Sequence, residues 1–236
     1  MKRIVAQRCL AGPGEVRRRR AVQTKAKLNN KTERQKSMTQ IEITIEGITP
    51  LICNRFTEAA ERSVSQDSTS SLKGDKGTPR EQAEPKCYRN KSAQFVIPGT
   101  NIFRSIIDAG KYLKNGKSKI TTQKTSLIPS FSAMETIDAV ICNGDKKPVK
   151  DFEVDSRSVV IPSTGGRIMA HRPRFDCWSC AFEIALDEKD CSSKLFRTLV
   201  DYAGSKVGLG DFRPDRKGPF GKFKVIHWKE SVTKSE

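Results

Sequence analysis

The segment Val207-Gly208-Leu209-Gly210-Asp211-Phe212-Arg213-Pro214-Asp215-Arg216-Lys217-Gly218-Pro219-Phe220-Gly221-Lys222-Phe223 lies near the C-terminus of the chain. Gly208, Gly210, Gly218 and Gly221 bracket the cations Arg213, Arg216, Lys217 and Lys222. Without a Cβ, glycine lets the backbone turn tightly or lie close against a partner. The segment is therefore either a loop shaped to meet phosphate or a surface turn carrying solvated charges. Its neighbours decide its place in the fold.

Upstream, Leu195, Leu199, Val200, Ala203 and Val207 recur at helical spacing across 194–207. Downstream, 220–228 has the pattern of a strand, with Phe223, Val225 and His227 on one side. Further back, 178–186 alternates, with Phe182, Ile184 and Leu186 on one face. Residues 154–162 and 167–175 are expected to pair as a hairpin through Ser163-Thr164-Gly165-Gly166. Residues 131–142 are expected to form one strand. An amphipathic helix is expected over 100–113, capped by Thr100, with Ile102, Phe103, Ile106, Ile107, Tyr112 and Leu113 as its apolar stripe. Residues 57–93 lack an apolar period and suggest a long flexible loop. Before them, 40–48 places Ile41, Ile43 and Ile45 opposite Glu42, Thr44 and Glu46, and Leu51-Ile52-Cys53 is expected to resume that strand.

Stripped of insertions, the order is βαββαβ. This predicts an α+β, ferredoxin-like or RRM-like core with a long loop after its first strand, an inserted β-hairpin at 154–175 and a Gly-rich loop at 208–221. The 236 residues suit a single domain at 38–236 behind a basic extension at 1–37.

Charge narrows the partner. The formal net charge is +17, which favours nucleic acid or an anionic membrane surface. Residues 1–37 hold twelve Lys/Arg against Glu15 and Glu33, and such like-charged, apolar-poor sequence is expected to be disordered. That extension is open to three readings: an arm gripping nucleic acid, a transit peptide, or an inert stretch ahead of Met38. Two later runs lack acids. One follows Asp108 and holds Lys111, Lys114, Lys117, Lys119 and Lys124; the other, in the expected hairpin, holds Arg157, Arg167, His171, Arg172 and Arg174. Each is either a backbone clamp or a solvated face. Phe175, Trp178 and Phe212 are candidates to stack on bases, with core positions as the alternative.

No apolar run approaches the roughly 18 residues of a spanning helix. With no signal-peptide pattern and seven irregularly spaced cysteines, a cytoplasmic, reduced setting is expected, without a membrane partner. Cys177-Trp178-Ser179-Cys180 is a lone C-x-x-C, and on a straight strand its thiols face opposite ways, so no metal site is assigned. No P-loop or dinucleotide fingerprint is present, and no cofactor is expected.

Ile97-Pro98-Gly99-Thr100-Asn101-Ile102-Phe103-Arg104 resembles the helix start of the CRISPR-associated RAMP superfamily, with its cation shifted by one place. Gly208-Leu209-Gly210 with Gly218-Pro219-Phe220-Gly221 resembles that superfamily's glycine-rich loop, and the expected hairpin resembles the thumb of its RNA-coating backbone subunits. The run Arg172-Pro173-Arg174-Phe175 with Trp178, together with Gly208-Leu209-Gly210-Asp211-Phe212-Arg213-Pro214, is also similar to uncharacterised phage and prophage proteins. The resemblance spans 40–228. It implies an RNA-binding protein, single-stranded RNA preferred with single-stranded DNA as an alternative. Such proteins coat the strand as homo-oligomers or as subunits of a ribonucleoprotein filament. It leaves two alternatives: a metal-independent endoribonuclease, for which His171, Asp67 and Asp75 are the candidates, or a phage interaction protein that kept only the fold.

Overall fold

Three isoleucines decide the sheet. Ile41, Ile43 and Ile45 are fully buried on one face of β1 (Thr39–Gly47), while Glu42 on the other face is exposed. The computed structural model describes residues 38–57, 77–160 and 165–232. One compact unit spans 39–231; a second, of 1–38 with 232–236, lies almost wholly outside the described residues, as does the basic extension.

Chain order continues with β2 (Leu51–Ile52), the short α1 (Pro79–Ala83), β3 (Val96–Pro98) and α2 (Gly99–Ala109). A small ribbon follows, β4 (Lys114–Asn115) and β5 (Ser118–Lys119), then α3 (Ile128–Phe131), β6 (Ser132–Met134) and β7 (Asp138–Val140). The hairpin strands are β8 (Glu153–Val160) and β9 (Arg167–Phe175). The chain closes with β10 (Ser179–Leu186), α4 (Ser193–Tyr202) and β11 (Phe223–Val232).

The main sheet has the order β11-β1-β10-β6, with β10 antiparallel to both β1 and β6. Taking β1, α2, β6, β10, α4 and β11 as the βαββαβ units, this is the fourth-first-third-second order of a ferredoxin-like core. Ile102, Ile106 and Ala109 of α2 and Phe196, Leu199 and Val200 of α4 join the isoleucines of β1 in one apolar cluster.

Several local expectations change. β2 does not extend the β1 sheet; it pairs with β9, making a separate β2-β9-β8 sheet. The segment expected as one strand at 131–142 breaks after Met134, and β7 pairs instead with β3. Thr100 is not the cap of α2: the helix starts at Gly99, whose amide donates to the Ile137 carbonyl (2.7 Å). A Cβ on Gly99 would overlap the Thr136 carbonyl oxygen, which explains the glycine of the Ile-Pro-Gly sequence. α2 ends at Ala109, so Tyr112 falls outside its stripe and is half exposed. In β11, Phe223 is buried and Val225 packs on the core; thereafter Trp228 turns inward against Phe196, leaving His227 exposed. The inward parity therefore shifts by one residue between Val225 and Trp228.

Part of the expected long loop is helical. Thr78 and Glu81 form a reciprocal capping box on α1, and the Thr78 amide and hydroxyl hold the Glu81 carboxyl below its usual range. Arg80 of α1 pairs with Asp151 and lies over the Phe152 ring, while Lys86 donates to the His171 carbonyl (2.6 Å). The segment therefore buttresses the hairpin base. Residues 58–76, including Asp67 and Asp75, lie outside the described residues.

At its C-terminal end α4 widens into a π-type turn over Ala203–Val207, closed by the Gly208 amide on the Ala203 carbonyl (2.7 Å). Gly204 in that turn lies against the Phe223 carbonyl of β11, where a Cβ would overlap. Gly204→Ala should destabilise the domain by roughly 1–3 kcal/mol through overpacking, read as a lower urea midpoint at unchanged slope.

Candidate nucleic-acid interface

The hairpin arginines expected to clamp a backbone are largely occupied by carboxylates. Arg172 is buried, with Nη1 on Asp211 Oδ2 (2.8 Å) and Nη2 on Asp155 Oδ2 (3.3 Å). Asp155, also buried, accepts from Arg157 Nε as well (2.7 Å), and Asn54 donates to Asp211 (3.0 Å). Arg157 lies over the Phe220 ring, 4.7 Å from its centroid, and Arg174 pairs with Asp176 (2.7 Å). Arg172 is therefore an internal strut rather than a phosphate ligand. Arg167 stands exposed at the start of β9, beside the exposed apolar side chains Val160, Ile168 and Met169.

Two expected stackers are core residues. Phe175 packs edge-on against Phe95 (5.2 Å between centroids), and Trp178 packs on Phe223 while its indole donates to the Thr49 carbonyl (2.9 Å). At 3% and 2% exposure neither offers a face to a base. Phe212 is about one-third exposed, has a left-handed backbone (φ 49°) and packs on Phe220.

The glycine loop resolves into architecture. A Cβ on Gly210 would overlap the Ile52 carbonyl oxygen, one on Gly218 that of Phe212, and one on Gly221 that of Leu209. A Cβ on Gly208 would crowd Pro214 at 2.7 Å. The open faces of these four glycines are thus filled by the chain itself. Backbone amides are committed too: those of Leu209, Asp211, Gly218 and Gly221 donate to the carbonyls of Gly221, Ile52, Arg213 and Pro50. An anion nest needs free amides converging on one point, and these are spent. What the loop presents outward is side chains, with Arg216 and Lys217 exposed. Arg213 is more confined, donating to the Gly210 carbonyl (3.1 Å) and lying near Asp215 (3.6 Å).

Ser105 of α2 donates to the Gly208 carbonyl (2.9 Å), holding the helix against the loop. Between them opens a cleft of about 250 Å³. Leu51, Ile97 and Leu209 give it apolar lining, while Asn101, Arg104 and Arg213 contribute donors.

The lysines after α2 have a different setting. Lys114 and Lys119 are exposed and face one another across the β4–β5 ribbon, with Lys117 exposed in its turn and Lys124 exposed just beyond. Like charges directly opposite in a strand pair repel, and no acid occurs between Asp108 and Glu135. Lys111 ties this patch to the glycine loop through Asp108 (3.0 Å) and Asp215 (3.8 Å). Beside it, Lys206 sits over the rings of Tyr202 (3.8 Å) and Tyr112 (5.0 Å). Sequence reasoning missed this trio because Tyr112 fits the helical period that α2 abandons three residues earlier.

His171 accepts or donates at Nδ1 with the Ser156 hydroxyl (2.7 Å), its partner across the hairpin register. That pairing orients the ring through a hydroxyl rather than a carboxylate. Cys177 is exposed and Cys180 buried, so the C-x-x-C thiols diverge, and burial raises the Cys180 thiol far above its normal range. Among the described residues no group of three His, Cys, Asp or Glu side chains could hold a metal ion.

Removing Arg172 would leave buried Asp155 with Arg157 alone and one carboxylate oxygen unpaired, so Arg172→Met should cost about 1–3 kcal/mol of stability, measured by urea unfolding. Gly210→Val combines a positive φ with the Ile52 clash; it should lower the melting temperature sharply rather than weaken ligand binding in a folded protein.

No family model and no curated protein matches the chain. Among solved structures it is similar to a chain in a cryo-EM structure of the type III-B Cmr-beta complex bound to cognate target RNA, at 11% identity and a TM-score of 0.43. The match covers 89% of this chain and 66% of that one, so it spans just under two thirds of the neighbour's length. No helix among the described residues is long and apolar enough to cross a membrane.

Proposed function

We propose that this chain binds single-stranded nucleic acid, RNA in preference to DNA, chiefly through backbone phosphates, as a RAMP-type backbone subunit acting in the cytoplasm. The observation that carries this reading is the Lys114–Lys119 pair, two exposed cations held face to face on a short ribbon in a stretch without acids. A polyanion relieves that repulsion, and phosphates spaced along a flexible strand can reach both ammonium groups. Lys117 and Lys124 extend the same surface, and Arg216 and Lys217 continue it on the glycine loop. Arg167, with Val160, Ile168 and Met169 at the exposed end of the hairpin, supplies a cation and aliphatic wedges for separating bases.

Two supports are independent of charge: the Ile97–Arg104 sequence at the start of α2, and a Gly-rich loop joining the second core helix to the last core strand. Side-by-side assembly of copies along the strand, and a contribution of residues 1–37 as a basic arm, belong to the same proposal.

Fluorescence anisotropy with a labelled single-stranded RNA, titrated across salt concentrations, tests it. Tight binding at low salt is expected, falling steeply as salt rises. Lys114→Gln with Lys119→Gln should flatten the log–log salt dependence by roughly 0.7 per lost phosphate contact. A protein with no RNA affinity at low salt would overturn the proposal, and equal or stronger affinity for single-stranded DNA would overturn the stated preference.

A further inference from the structure

Tyr112 stands out among the exposed aromatic side chains of the described residues. It is 47% exposed, and lies immediately after Lys111 and two residues before Lys114. Its ring is not packed in the apolar stripe of α2. It is flanked instead by the Lys206 ammonium, which also lies over Tyr202, at 5.0 and 3.8 Å from the two ring centroids. Both distances are within the range of cation–π attraction.

This arrangement has a physical consequence. An exposed tyrosine, such as Tyr112 at the end of the 3-10 turn Gly110–Tyr112, ordinarily loses rotamer freedom when a ligand orders it. Here the shared ammonium, held on the π-type turn after α4, already limits the ring of Tyr112, so part of that cost is met before binding. Lys111 and Lys114 flank the ring in sequence, and every base has a π-face, so such a platform accepts a base without reading its identity.

From this placement we infer that Tyr112, steadied by Lys206 and Tyr202, is a stacking site for one nucleobase of the bound strand, with the ribbon lysines taking the neighbouring phosphates. The inference rests on the nucleic-acid reading above and assigns that surface a base contact in addition to its phosphate contacts.

The test compares an oligoadenylate with an abasic ribose-phosphate chain of equal length, at one fixed salt concentration. Tyr112→Ala should weaken oligoadenylate binding about tenfold and leave abasic-chain binding unchanged. Tyr112→Phe, which keeps the ring, should retain wild-type affinity, and Tyr112→Leu, which keeps apolar bulk without a π-face, should behave like Tyr112→Ala. Equal losses on both chains, or no loss on either, would overturn the stacking site while leaving the phosphate-binding proposal standing. Wild-type protein that binds neither chain would instead remove the proposal beneath it. A Tyr112→Ala variant with a lower melting temperature but wild-type oligoadenylate affinity would show that the ring serves stability, and that too would overturn the inference.

Discussion

The domain hangs on a buried guanidinium. Arg172 spans Asp155 on the neighbouring hairpin strand and Asp211 in the glycine loop, and Asp211 in turn holds Asn54 beyond β2. Three parts of the chain that are far apart in sequence meet at that side chain. Desolvating three charges is expensive, and apolar replacements of the same volume often cost no stability. The geometry suggests specificity instead: a fork with two carboxylates at fixed positions sets the angle at which the β8–β9 hairpin leaves the domain.

Seen from that strut, the glycine loop is the other half of the same joint. Gly210 lets its backbone lie on Ile52, the Asp211 amide donates to the Ile52 carbonyl (2.7 Å), and the Ser105 hydroxyl secures Gly208 from the helix side. The loop thereby fixes α2, β2 and the hairpin base together. Its cations are carried outward on a backbone whose amides at Leu209, Asp211, Gly218 and Gly221 are already hydrogen-bonded within the chain.

The core was legible in the sequence because its large apolar side chains recur at every second residue: Ile41, Ile43 and Ile45 in β1, and Phe182, Ile184 and Leu186 in β10, although the small Ala185 is buried between the last two. Where two sheets share one stretch, the signal fails: residues around Met134 leave β10 for β3 with no change in their hydrophobic pattern. The site was less legible, since composition shows cations but not their partners. Arg172 and Arg157 look alike in sequence to Arg167, yet the first two are fixed by Asp155. Phe175 and Trp178 illustrate the same limit, because an aromatic beside arginines can point either way. The lysine run after Asp108 was readable because no acid lies near it in sequence, although Lys111 still finds Asp108 and Asp215.

Within the described residues the main sheet ends on β11, a ten-residue strand with no neighbour on its far side. Long open rims of this kind invite other chains to add strands, and charged side chains are a common defence. Lys224, Lys229 and Glu230 are exposed along this strand, so a second sheet zipping onto it would have to place partners beside these charges or strip them of water. Copies brought close together would thereby be discouraged from merging their sheets, and each would keep its own fold.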